Sequence, residues 1–141
     1  MARRCPESKI LSKAKILDYQ LVFRLHADIE LDYGSDVYGL LWEVSEDDLA
    51  ALDKFEGVPV YYIKHLIWVY PESYDNIPPE HLHDNNAVKA WVYEMVNKNT
   101  YDFPSEKYWE TCLDGYLNNQ LDVYQLDFAI ESVIKFNENR I

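Results

Sequence analysis

Glu56 precedes the glycine that ends the stretch Leu52-Asp53-Lys54-Phe55-Glu56-Gly57 and is placed in this sequence where it could move a proton. Counted at about 100° per residue from Leu49, it falls about 20° away, on the stripe of the helix's own leucines. It also falls in the last helical turn, where the negative end of the dipole disfavours another negative charge. Partial burial and the dipole would both raise its pKa. A carboxyl group held that way can take up and return protons near neutral pH. The plainer reading is a helix-terminal glutamate that reaches into solvent. Position alone does not choose between the two.

The elements that must hold this residue are legible around it. Ser45 is a good N-cap, and Asp48 three residues later approximates a capping box. Asp47 and Asp48 suit the positive end of the dipole, and Gly57 supplies the stop, so a helix is predicted over 45–57. Upstream, residues 9–16 and 18–25 read as two strands around a turn at Leu17–Asp18. Residues 26–32 are a weaker extended stretch, 32–36 carry turn chemistry with Gly34 free to take positive φ, and 37–44 form a strand. Strands are predicted over 60–70 and 87–96, separated by a polar loop with Pro71, Pro78 and Pro79. Helices are predicted over 104–119, starting near Ser105, and over 122–136, with a stripe of Val123, Leu126, Ile130, Val133 and Ile134. Residues 137–141 read as a fraying tail. There is no βαβ rhythm and no glycine-rich phosphate loop, which points to an α+β fold with a mostly antiparallel sheet or barrel.

The length of 141 residues suits one domain over 1–141, and 48% hydrophobic residues are enough for a core. The net charge of −12 repels phosphate backbones, so nucleic acid is not an expected partner. A basic or zwitterionic small molecule, or a basic protein, suits the surface. Two cysteines without CxxC spacing make a reduced, cytoplasmic protein the default. No apolar run approaches the ~20 residues that span a bilayer, and the first nine residues lack the apolar segment of a signal peptide.

Other constellations carry less. His81-Leu82-His83 with Glu80 has metal-ligand spacing but lies in a proline-containing loop, where a solvated role is the simpler expectation. His26 and His65 read as packing residues, and Trp42, Trp68, Trp91 and Trp109 read as core or pocket wall. Cys112 reads as a small buried hydrophobe. Cys5, beside Arg3 and Arg4, has the setting for a lowered pKa. Ser45 is explained by capping, so no serine triad is expected.

The run from Val37 to Lys64 resembles the gamma-glutamylcyclotransferase-like family. A strand with a glycine in an aromatic-aliphatic run leads to a helix reading L-D-x-x-E-G, here Leu52 to Gly57, followed by a tyrosine, here Tyr62. The stretches RCPES (4–8), DYQLVF (18–23), HADIE (26–30), AWVYEM (90–95) and PSEKYWETCLDGY (104–116) agree with its bacterial members in order and spacing. The resemblance implies a small, mostly antiparallel β-barrel flanked by helices. It implies closure of a γ-glutamyl amine or peptide on itself, releasing 5-oxoproline and an amine or amino acid, without metal or cofactor. It assigns Glu56 as general base and then acid, and Tyr62 to binding substrate and walling the cavity.

The sequence departs from the family at its start. The family's first strand, carrying Tyr-Gly-Ser-Asn with substrate-gripping backbone amides, is missing. Tyr33-Gly34-Ser35-Asp36 does not replace it, because it reads as a hairpin turn between strands. Either Met1 is an internal methionine of a longer protein or the chain is a short form with an incomplete site. Loss of that strand would leave unpaired edges, which a homodimer or strand exchange would cover. The alternative to an enzyme is a non-catalytic member of the same fold that binds a small molecule or protein.

Overall fold

A computed structural model describes residues 5–138. They form four strands, three α-helices and one short 3-10 turn, in the order β1 (Lys9–Arg24), β2 (His26–Glu43), α1 (Glu46–Glu56), β3 (Tyr62–Pro71), the 3-10 turn Pro79–His81, β4 (Val88–Met95), α2 (Glu106–Asn118) and α3 (Tyr124–Glu138). The α+β expectation is met. The predicted fraying tail is helical at Asn137 and Glu138, and its last three residues, like Arg3 and Arg4, lie outside the described residues.

The strands form a sheet in the order β2-β1-β3-β4. β3 and β4 pair antiparallel over eight positions, from Tyr62 opposite Met95 to Val69 opposite Val88. β1 and β3 also pair antiparallel, but only at Ala14 with Pro71 and Lys15 with Tyr70. The closed barrel expected from the resemblance is therefore not formed. Closure requires a continuous ladder returning to its own edge, and among the described residues no pairing joins β2 to β4.

β1 and β2 are each one long strand where the sequence predicts two segments. Asp18 and Gly34 do adopt positive φ, 65° and 91°, but inside the strands. The Asp18 carboxylate accepts the Gly34 N–H at 3.0 Å. Residues with turn chemistry here serve a bulge-like distortion of the ladder instead of a reversal. The reversal itself falls at Leu25, at φ 67°, the single residue between Arg24 and His26. So short a link between neighbouring strands fixes them as antiparallel.

The chain divides into two compact units. Among the described residues the first comprises 5–16 and 39–96, the second 17–38 and 97–138, so β1 and β2 each contribute to both. In the first unit the buried core is Ala14, Leu41, Val69, Ile77 and Val88, with Leu11, Ile16, Ile67 and Ala90 packed on it. Alternation along the β3–β4 ladder then turns Tyr62, Lys64 and Leu66, with Trp91, Tyr93 and Met95 opposite them, to the other face.

The second unit is built on Phe23, Leu126, Ala129 and Val133, flanked by Tyr108, Trp109, Cys112 and Leu113 of α2. Ser105 caps α2, its hydroxyl accepting the Tyr108 N–H. The stripe expected on α3 is partly revised. Ala129 is buried in the core, whereas Ile134 is turned out and 43% exposed. A second feature of this unit is ionic. Buried Arg24 donates to Asp28 and to Glu30, each at 2.6 Å, and stacks 5.0 Å from the Tyr101 ring. Lys98 also donates to Asp28, at 2.9 Å, while Tyr101 and Gln20 donate to Glu30. On β2, the Gln125 carboxamide accepts the Tyr38 N–H at 2.7 Å and donates to the Tyr38 carbonyl at 2.9 Å. Among the described residues no helix is long and apolar enough to cross a membrane.

Candidate active site

α1 forms as the sequence specifies. The Ser45 side chain accepts from the Asp48 N–H at 3.0 Å, and the Asp48 carboxylate returns a bond to the Ser45 N–H, completing the capping box. Gly57 ends the helix at φ 69°, the left-handed region that favours glycine, and its N–H reaches the carbonyls of Asp53 and Lys54. Glu56 is thereby fixed as the last helical residue. Leu49, Leu52, Asp53 and Glu56 are half-buried, while Ala50, Ala51, Lys54 and Phe55 are exposed. The expected stripe is present, and Glu56 is on it.

That stripe meets the face of β3 and β4 that bears Lys64 and Tyr93. These two residues are direct partners across the ladder. Lys64 donates to one Asp53 oxygen at 2.7 Å, and the Tyr93 hydroxyl donates to the other at 2.6 Å. The Lys64 ammonium also sits 4.8 Å from the centre of the Trp91 ring. Asp53 is thus held by two donors from two strands. The hydrogen bond from Lys64, and then that from Tyr93, keeps its carboxyl below the usual range. Burial and the Asp53 carboxylate push the Tyr93 phenol well up, and the charge of Glu56 adds to this. Tyr93 is therefore a neutral donor at ordinary pH and not a base.

Tyr62 begins β3, half-buried, two residues from Lys64 on the same face and opposite Met95. Glu56 and Tyr62 both lie in the first unit, and neither lines the groove of the second unit described below. Cys5 is fully buried, its thiol directed at the Asp48 carbonyl at 3.7 Å. His65 pairs with Glu94 at 2.8 Å on the opposite face of the ladder. His83 packs edge-on against Trp68 at 4.8 Å. Among the described residues no three His, Cys, Asp or Glu side chains gather as a metal set.

The sequence reading missed Asp53, Lys64 and Tyr93. The signals were present but partial: Asp53 lies one turn before Glu56, and Lys64 lies two residues after Tyr62 on a strand. Only the β3–β4 register adds Tyr93. The cluster has a pH signature. Asp53 titrates below its ordinary 3.8 in the folded chain. Its contribution to stability is therefore present above 3.8 and is lost as pH falls through the lower, folded value. Melting temperature followed from pH 6 downward should drop in the native protein over that acid range, and Asp53→Asn should lack that part of the drop. Identical acid limbs in the two proteins would remove the ion pair from the stability of this site.

The antiparallel ladder, its capped helix and the helix-terminal carboxyl define a small α+β protein with a known fold. A crystal structure of an uncharacterised protein from Homo sapiens superposes with a TM-score of 0.69, at 22% identity, over 89% of this chain and 76% of the other. A structure described as a gamma-glutamyl cyclotransferase gives the same values. A solution structure from Arabidopsis thaliana aligns less well, at a TM-score of 0.46 and 21% identity, over 80% of this chain and 70% of that one. Among curated protein sequences no match is found. Residues 2–111 match the family described as gamma-glutamyl cyclotransferase, AIG2-like, and the chain belongs to that family.

Proposed function

We propose that the protein cyclises a γ-glutamyl amine or γ-glutamyl peptide, with Glu56 as the proton-transfer group and Tyr62 as a substrate contact. The observation that carries this reading is Glu56, half-buried as the last residue of α1, in a chain of this family. Asp53 is occupied by Lys64 and Tyr93 and serves to hold α1 against β3 and β4.

In the reaction, Glu56 takes a proton from the substrate α-ammonium. The freed amine nitrogen attacks the γ-carbonyl carbon, and a five-membered ring begins to close. The bond from that carbon to the departing nitrogen then breaks as Glu56 returns the proton to it, and the regenerated carboxylate takes the surplus proton left on the ring nitrogen and passes it to the freed amine, which leaves as its ammonium. The products are 5-oxoproline and an amine or amino acid. Ring closure gains from a substrate folded before reaction, which a tyrosine wall such as Tyr62 favours.

The test is incubation with γ-glutamyl dipeptides and γ-glutamyl alkylamines, followed by chromatography for 5-oxoproline. Product is expected from one of these classes and not from the same compounds acetylated on the α-amine. Absence of product from both classes would overturn the proposal.

A further inference from the structure

The second unit carries a groove that the cyclotransferase reading does not use. It has a volume of about 450 Å³ and runs between α3 and the strand residues Gln20, Leu21, Ser35, Asp36 and Tyr38. That volume is in the range of small-molecule sites. Its α3 wall is unusual for a solvent-facing helix surface. Tyr124 and Phe128, four residues apart, are 67% and 66% exposed, and Tyr38 across from them is 45% exposed. The core-facing side of α3 is already satisfied by Leu126, Ala129 and Val133, so these rings are not needed for packing.

The charge of the groove is one-sided. Asp36, Asp122 and Glu131 line it, and Lys135 is the one cation among its lining residues. Asp122 is engaged with the Tyr124 N–H at 2.9 Å. Asp36 and Glu131 form no ion pair among the described residues. The groove is also braced. Gln125, bonded to both backbone groups of Tyr38 and to the Tyr116 hydroxyl, ties α3 to β2 beside it.

Exposed ring faces and carboxylates in one concavity match the two ways an organic cation is held, by the ring quadrupole and by opposite charge. We propose that this groove binds a small organic ammonium ion, with Tyr124, Phe128 and Tyr38 against its alkyl chain and cationic head, and Asp36 and Glu131 as counter-charges. The inference does not depend on the reaction assigned to Glu56.

The probe is 1,5-diaminopentane, titrated into the full chain at 0.15 M salt and followed by amide chemical shifts. Saturable shifts confined to β2 residues 35–38 and to α3 are expected. Phe128→Ala should weaken binding about three- to tenfold. Asp36→Asn with Glu131→Gln should weaken it at least about tenfold. Asp75→Asn with Asp84→Asn makes the same charge change on the 71–86 loop and should leave it unchanged. The neutral 1,5-pentanediol should not bind. Shifts spread over the acidic surface without saturation, equal weakening by both charge pairs, or equal binding of the diol would overturn the proposal.

Discussion

Glu56→Gln is expected to lower 5-oxoproline release by about 10²- to 10⁴-fold, the usual contribution of one positioned proton-transfer group. The substitution keeps the size and helix preference of the side chain and removes only its capacity to carry a proton. α1 should stay intact, since its ends are fixed by Ser45, Asp48 and Gly57 and not by Glu56. A melting temperature near the native value, measured beside the assay, separates lost chemistry from lost structure. Tyr62→Phe should cost less, about tenfold, because it removes one hydrogen bond and leaves the ring as a wall. Native turnover in Glu56→Gln would remove this residue from the mechanism.

The second large effect concerns stability. Arg24→Met is expected to cost about 3–5 kcal/mol, read as a lower midpoint in urea denaturation. The Arg24 side chain is 4% exposed and the Asp28 side chain 0%. Removing the guanidinium takes one cation from Asp28, which keeps the Lys98 ammonium, and takes the Arg24 ion pair from Glu30. The cost is that of buried charge left without compensation, which exceeds what the intact pair contributes. Arg24→Lys should recover only part of it, because a single ammonium does not span two carboxylates as a planar fork does. A variant as stable as the native chain would show that these carboxylates are neutralised by other means.

What the sequence disclosed, and what it did not, follows from the range of the forces involved. α1 was legible to within a residue because its cap, its dipole charges and its terminating glycine are local. Ser45 and Ser105 both cap where expected for the same reason. The long β1 and β2 were misread because positive φ at Asp18 and Gly34 serves a bulge as readily as a turn. Leu25, the real reversal, is an apolar residue with no turn preference to announce it. The candidate site divides the same way. The place of Glu56 on the α1 stripe follows from helical periodicity and its candidate role from the resemblance, but the Asp53–Lys64–Tyr93 cluster exists only once β3 and β4 pair in one register. The open sheet, in place of a closed barrel, depends on pairings between distant segments that no local pattern encodes.

The carboxamide of Gln125 occupies the place that a visiting peptide would need at Tyr38. One side chain thus acts as a stopper on the outer margin of β2, imitating the donor and acceptor of an absent neighbour. At Tyr38 the backbone groups of β2 are thereby satisfied within the chain, by a helix side chain and not by a further strand.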